Sequence, residues 1–168
     1  MAQKTKTLND LFVDTLKDIY FAEKQIYRAL PKMAKACNSD ELRASFEKHR
    51  EQTATHIERL EDVFELVGVA ARGKTCDAIM GILEEGKSIM EDFEDSPALD
   101  AGLVSSAQAV EHYEITRYGT LISWSQLLGL GKAGDLLKAT LGEEEQTDVD
   151  LSKLAKGSIN KAALASAA

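Results

Sequence analysis

Ala109-Val110-Glu111-His112-Tyr113-Glu114-Ile115-Thr116-Arg117-Tyr118 is the stretch on which the fold turns. Positions three and four apart share a helix face, so Leu103, Ala107, Glu111, Glu114, Tyr118, Leu121 and Ser125 make one stripe. Two carboxylates then stand where core residues belong. An ionised carboxylate buried without a partner is strongly unfavourable, so this helix either turns the acids away from the core or balances them with a cation. The remaining helices decide between those cases.

The chain has 168 residues, enough for one compact core, and a formal charge of -8. That acidity argues against nucleic acid as a partner, since phosphate binding draws on a basic face. No apolar run approaches the roughly 20 residues that span a bilayer. The start, Met1-Ala2-Gln3-Lys4-Thr5-Lys6, lacks the apolar region of a signal peptide, and a cytoplasmic location without membrane association is expected. Cys37 and Cys76 flank a helix of about 30 residues, roughly 45 Å long, and are expected as reduced thiols. Few prolines and abundant Ala, Leu, Glu, Lys and Gln favour helix throughout, and nothing alternates like a strand, so the fold class is all-α.

Thr7-x-x-Asp10 resembles a capping box and starts the first helix, whose stripe is Phe12, Leu16, Ile19, Glu23, Ile26, Leu30 and Met33. Pro31 predicts a kink or an early end before Cys37. Ser39 caps a second helix that Gly68 stops. Its stripe has apolar ends around a polar middle: Leu42, Phe46, His49, Thr53, His56, Leu60, Val63 and Val67, with Gln52 on the flank. Glu51, Glu58, Arg59 and Glu61 read as a solvated surface. Thr75 to Asp95 predicts a shorter helix serving as a crossover, with Glu84, Glu85, Glu91, Asp92 and Glu94 on its wet face. Ser96-Pro97 signals the third main helix, which runs to about Leu128 and is ended by Gly129-Leu130-Gly131. The fourth runs from about Lys132 to Lys156 with the stripe Leu137, Leu141, Glu144, Asp148, Leu151 and Ala155, while Glu143, Glu145 and Asp150 point elsewhere. Residues 1–156 form the bundle, and the Ala/Ser-rich tail 157–168 has little to bury and is expected to fray.

All four main helices thus carry polar, metal-capable residues mid-stripe: Glu23; His49, Gln52 and His56; Glu111 and Glu114; Glu144 and Asp148. Converging carboxylates raise one another's pKa unless a cation lies among them. Oxygen-rich ligands with one or two imidazoles suit iron or manganese better than zinc.

Four segments together resemble the ferritin-like YciE/YciF family, bacterial stress-associated bundles related to rubrerythrin. They are Leu11-Phe-Val-Asp-Thr-Leu-Lys-Asp-Ile-Tyr-Phe-Ala-Glu-Lys-Gln25, His49-x-Glu-Gln-Thr-x-x-His56-Ile-Glu-Arg-Leu60, Glu111-His-Tyr-Glu-Ile-x-x-Tyr118-Gly-Thr-Leu121 and Thr140-Leu-x-Glu-Glu-x-x-Thr-Asp148. The resemblance spans about residues 7 to 156 and implies a ferritin-like four-helix bundle with a crossover between its second and third main helices. It also implies a dinuclear metal centre with ferroxidase-type activity. The usual di-iron bundle supplies Glu from two helices and Glu-x-x-His from the other two. Here Gln52 precedes His56 at four residues, and Asp148 follows Glu144 with no His, which opens the choice between two metal ions and one.

The expected function is a non-haem di-iron protein oxidising Fe(II) with oxygen or peroxide in stress protection. Glu23 and Glu144 are expected as terminal ligands, Glu111 or Glu114 as the bridge, and His56 as the main nitrogen ligand. His49, Gln52 and Asp148 are ligands or their supports. A manganese catalase-like peroxide disproportionation uses the same ligands, and a metal-free helical scaffold is the alternative from another class. Tyr20, Tyr27 and Phe64 on the outer sides of the first two helices suggest a homodimer.

Overall fold

In the computed structural model, which describes residues 5–165, all the regular secondary structure is helical. The main helices are α1 (Leu8–Ala36), α2 (Asp40–Leu66), α4 (Leu99–Leu127) and α5 (Gly131–Leu154); α3 (Asp77–Asp92) fills the crossover, and a π turn (Ala155–Ile159) leads into the short α6 (Asn160–Ala165). Residues 1–4 and 166–168, and with them the chain start and the last of the Ala/Ser tail, lie outside the described residues.

The helix boundaries follow local chemistry. Thr7 Oγ1 accepts from Asp10 N–H while the Asp10 carboxylate accepts from Thr7 N–H, a closed capping box. Ser39 Oγ accepts from Leu42 N–H at the start of α2. Gly68 and Gly129 end α2 and α4 at φ of +69° and +70°, a conformation that costs glycine nothing. The helix runs through Pro31 to Ala36 rather than ending early, because its expected break falls close to the C-terminus. α4 begins at Leu99, later than Ser96-Pro97 suggested: Ser96 makes a turn, its Oγ accepting from Ala98 N–H and its carbonyl from Leu99 N–H.

α1 and α2 form one hairpin through residues 37–39, and α4 and α5 a second through residues 128–130. The hairpins pack with α1 against α4 and α2 against α5, the expected four-helix bundle, and α3 lies outside on α4 and α1. The core is continuous, with Phe12, Leu16, Leu42, Phe46, Leu103, Leu121, Leu137 and Leu151 from all four helices fully or almost fully buried. No helix among the described residues is long and apolar enough to cross a membrane.

Three surface readings change. The chain does not loosen after Lys156 within the described residues: helix continues, and Ile159 is buried in the main core cluster. Tyr20 and Phe64, read as an outer stripe, are buried within the chain in an edge-to-face pair with centroids 5.3 Å apart, so they leave no exposed patch. Tyr27 instead carries the Arg50 guanidinium 4.6 Å from its ring centre. Cys37 and Cys76 are free and buried.

Candidate metal centre

Each helix brings its polar mid-stripe residues to the same level because the stripes are in register with the apolar residues that bury them. Glu23 of α1, His49 and His56 of α2, Glu111 and Glu114 of α4, and Glu144 of α5 are all at most 4% exposed. Their donor atoms fall into two groups, each within 4.8 Å: Glu23, His56 and Glu144 in one, His49, Glu111, Glu114 and Glu144 in the other. Glu144 belongs to both.

The first group is braced from outside, although His56 Nδ1, Glu23 Oε2 and both Glu144 oxygens have no hydrogen-bond partner. His56 Nδ1 lies 2.9 Å from Glu144 Oε1 and 3.5 Å from Glu23 Oε1, while its Nε2 lies 2.7 Å from Glu143 Oε2. Glu143 is in turn held by both guanidinium nitrogens of Arg59, at 2.8 and 2.9 Å. The Tyr118 hydroxyl donates to Glu23 Oε1. In the second group, His49 Nε2 stands 3.3 Å from Glu111 Oε1 and its Nδ1 3.9 Å from Glu144 Oε2, without hydrogen-bond geometry, and neither Glu114 oxygen has a partner.

Electrostatics separates the groups further. Burial alone would lower the His56 pKa, but the Glu144 and Glu23 carboxylates push it up to about 11, so this imidazole is charged. Burial works against the Glu144 carboxylate too, yet the His56 imidazolium holds its pKa below the usual range. Arg59 does the same for Glu143. Burial raises Glu23, and it raises Glu111 and Glu114 well above the ordinary range with Glu144 adding to the effect. Burial lowers His49, leaving it neutral. Burial, with the charges of Glu23, Glu114 and Glu144, keeps the Tyr118 phenol protonated.

Among the described residues, every buried side-chain nitrogen or oxygen without a hydrogen-bond partner belongs to Glu23, His49, Gln52, His56, Glu111, Glu114 or Glu144, except Arg117 Nε. Native interiors leave few such atoms, and a cluster of them in one place needs an explanation. Four carboxylates and two imidazoles with unused lone pairs fit an oxygen-preferring divalent ion such as Fe(II) or Mn(II).

Not every residue singled out in the sequence joins these groups. Gln52 Oε1 is buried and unpartnered, on the flank of the α2 stripe. Asp148 lies in neither group; it accepts from Gln108 Nε2 at 2.9 Å and pairs with exposed His112 at 3.4 Å. The reason is a rotation of α5. Its buried stripe is Ala133, Leu137, Thr140, Glu144, Thr147 and Leu151, not the line through Leu141 and Asp148. Thr147 satisfies its hydroxyl on the Glu143 carbonyl at 3.0 Å, which lets a polar residue sit inward and hides the true face from a hydrophobicity reading. Glu144, expected as a terminal ligand, is the carboxylate common to both groups, ahead of Glu111 and Glu114.

Two residues read as surface belong to the site's surroundings. Arg59 and Glu143 are half-buried and brace His56 from outside. Arg59 three residues after His56 was the available signal, since that spacing places both on one edge of α2.

Several known proteins share this arrangement of chain. Protein YciF from Escherichia coli (strain K12) is 43% identical over 159 residues, covering 94% of this chain and 96% of that protein. The crystal structure of the E. coli stress protein YciF matches with a TM-score of 0.89 at 42% identity, covering 94% of this chain and 99% of that one. YcfI of Rhodopseudomonas palustris, described as a candidate structural protein, matches with a TM-score of 0.86 at 40% identity, covering 90% and 97%. A protein of Xanthomonas campestris pv. campestris, 21% identical with a TM-score of 0.69 and covering 89% and 92%, shares the fold alone. A family model described as a domain of unknown function, DUF892, matches residues 7–164, and with the likeness to YciF over nearly the whole chain this protein belongs to that family.

Proposed function

We propose that the protein binds two divalent iron ions between its hairpins and oxidises Fe(II) as substrate with a small oxygen species, limiting the damage that free iron causes under stress. The observation that carries this reading is the pair of buried donor groups sharing Glu144 and surrounded by unpartnered polar atoms. Glu23 and His56 would hold one ion, His49, Glu111 and Glu114 the other, and Glu144 would serve both. Oxidation of paired Fe(II) ions releases one electron from each, and two electrons with two protons reduce dioxygen to hydrogen peroxide, or hydrogen peroxide to water.

The chain's own residues prepare for this. Burial pushes Glu111 and Glu114 toward their protonated forms, and such protons would leave when a cation arrives. Glu143 and Arg59 fix the His56 ring so that Nδ1 faces Glu144 and Glu23. Tyr118 orients Glu23 by its hydroxyl. The stress role draws on the E. coli relative, which is described as a stress protein.

The test is metal analysis of protein purified without chelator, then anaerobic Fe(II) titration followed by oxygen or peroxide. Two Fe(II) per chain, oxidised faster than in protein-free buffer and at no more than the protein-free rate with Glu144→Ala, is the expected result. No Fe(II) binding and a melting temperature unmoved by saturating Fe(II) would overturn it, leaving a protonated, metal-free scaffold. Preferential Mn(II) binding with peroxide disproportionation would replace iron oxidation by catalase chemistry on the same ligands.

A further inference from the structure

A small, partly open cavity of about 10 Å³ lies beside the second donor group. Its walls come from all four main helices and the crossover: Ile26 from α1, Phe46 from α2, Leu83 from α3, Val110 from α4 and Leu151 from α5. His49 and Glu111 close its inner end, and half-buried Ala29 and Ser45 lie toward the outside. The surface facing the void is carbon throughout, even where the residue is polar.

The size and the chemistry of this void restrict what it can hold. A space of this size takes about one water-sized molecule, and a buried water requires two to four polar partners. Here it would find none. A hydrogen peroxide molecule, with two hydroxyls to satisfy, is excluded for the same reason. Dioxygen has no hydrogen bond to lose and partitions from water into apolar surroundings. The void is also placed on one side only: it adjoins His49 and Glu111, whereas His56 and Glu23 are backed by Glu143, Arg59 and Tyr118.

We infer that this cavity is a binding and entry site for dioxygen, delivering it to the His49–Glu111 side of the metal centre. This rests on the proposed iron oxidation and sharpens it, because it makes dioxygen the oxidant that the fold is shaped to admit. Peroxide must arrive by a polar route.

The site can be probed without metal. Under oxygen pressure, dissolved dioxygen is paramagnetic and speeds the relaxation of methyl groups it visits. In metal-free protein the methyls of Ile26 and Leu151 are expected to relax faster than those of Leu16, Ile19 and Leu60, which are as deeply buried elsewhere in the core. Ala29→Leu, at the half-buried outer end, and Ala107→Val, on the α4 wall, are expected to abolish the difference. In iron-loaded protein the same variants are expected to slow oxidation by subsaturating dioxygen several-fold and to leave peroxide-driven oxidation unchanged. Uniform relaxation across the core, or equal slowing with both oxidants, overturns the inference. Failure of anaerobic Fe(II) binding overturns the iron reading instead, while the metal-free relaxation still decides the cavity.

Discussion

The two halves of the buried centre are built differently although they share Glu144. Around His56 the protein supplies its own counter-charges: an imidazolium against Glu144, the Glu143–Arg59 brace behind it, and the Tyr118 hydroxyl on Glu23. Around His49 it supplies a neutral imidazole, two carboxyl groups pushed toward their protonated forms, and an apolar void. The first half has a charged imidazole and a brace from outside, whereas the second has neither, and both leave buried donor atoms without hydrogen-bond partners. A buried polar network completed by a ligand is costly without it, and that cost is what makes the ligand's binding stabilising.

The strongest way to break the comparison is to remove what the halves share. Glu144→Ala is expected to weaken metal binding at both, by more than the roughly 10–100-fold typical of losing an outer-shell partner. Anaerobic titration checks it, and loss of only one ion would show that Glu144 serves one half. A sharper version acts on the second half alone. Glu111→Gln keeps the shape and can donate to His49, so the metal-free protein at pH 8 is expected to gain on the order of 1 kcal/mol, or roughly 2–4 °C in melting temperature. The same variant is expected to bind one Fe(II) rather than two. A lower melting temperature would mean that the acid is stabilising as it stands.

The pH dependence tests the charge assignments. Glu23, Glu111 and Glu114 have folded pKa values raised above an ordinary value of 4.5, so their stability contribution falls as pH rises past that value. His56, raised from 6.5 to about 11, contributes fully below 6.5 and loses that contribution as pH climbs toward 11. His49 and Glu144, both lowered, act in the opposite sense but only around and below their ordinary values of 6.5 and 4.5. Above pH 7 the surviving contributions all point one way. Metal-free protein is expected to melt at progressively lower temperature from pH 7 to 9, and saturating metal to flatten that slope. A metal-free melting temperature constant over this range would contradict the protonated second half.

The smallest effect expected is at the brace. Glu143→Gln removes the charge facing His56 Nε2 without removing a donor residue, and is expected to weaken metal binding about 10-fold with the stoichiometry unchanged. The imidazole N–H proton of His56, visible far downfield in a proton NMR spectrum, should shift in the same variant. A wild-type-like spectrum and affinity would leave Glu143 as a surface residue.

Much of this was legible because one physical pattern carried both fold and centre. Periodicity that marks a helix face also tells which polar residues are turned inward, so Glu23, His49, His56, Glu111, Glu114 and Glu144 could be named from spacing alone. Pattern fails where two adjacent faces are equally polar. On α5 the lines through Leu141 and Asp148 and through Thr140 and Thr147 differ by one position, and only packing against α2 and α4 chooses between them. Glu143 and Arg59 were hidden for a related reason: charged residues at the edge of a buried stripe read as solvated until the neighbouring helix is placed. The cavity is beyond any sequence reading, since it is the space left when five helices fail to close on one another.

The division of donors between the hairpins has a consequence for how the molecule assembles. Glu23, His49 and His56 lie in the α1–α2 hairpin; Glu111, Glu114 and Glu144 lie in the α4–α5 hairpin, and their contacts bridge wide sequence gaps, 95 residues from Tyr118 to Glu23 and 87 from Glu143 to His56. Each hairpin is held by local contacts, and neither holds a complete donor group until the two dock. A metal ion bound there would be a clasp closed last. It should slow unfolding while leaving the folding rate nearly untouched, a signature visible as movement of one arm of the chevron alone.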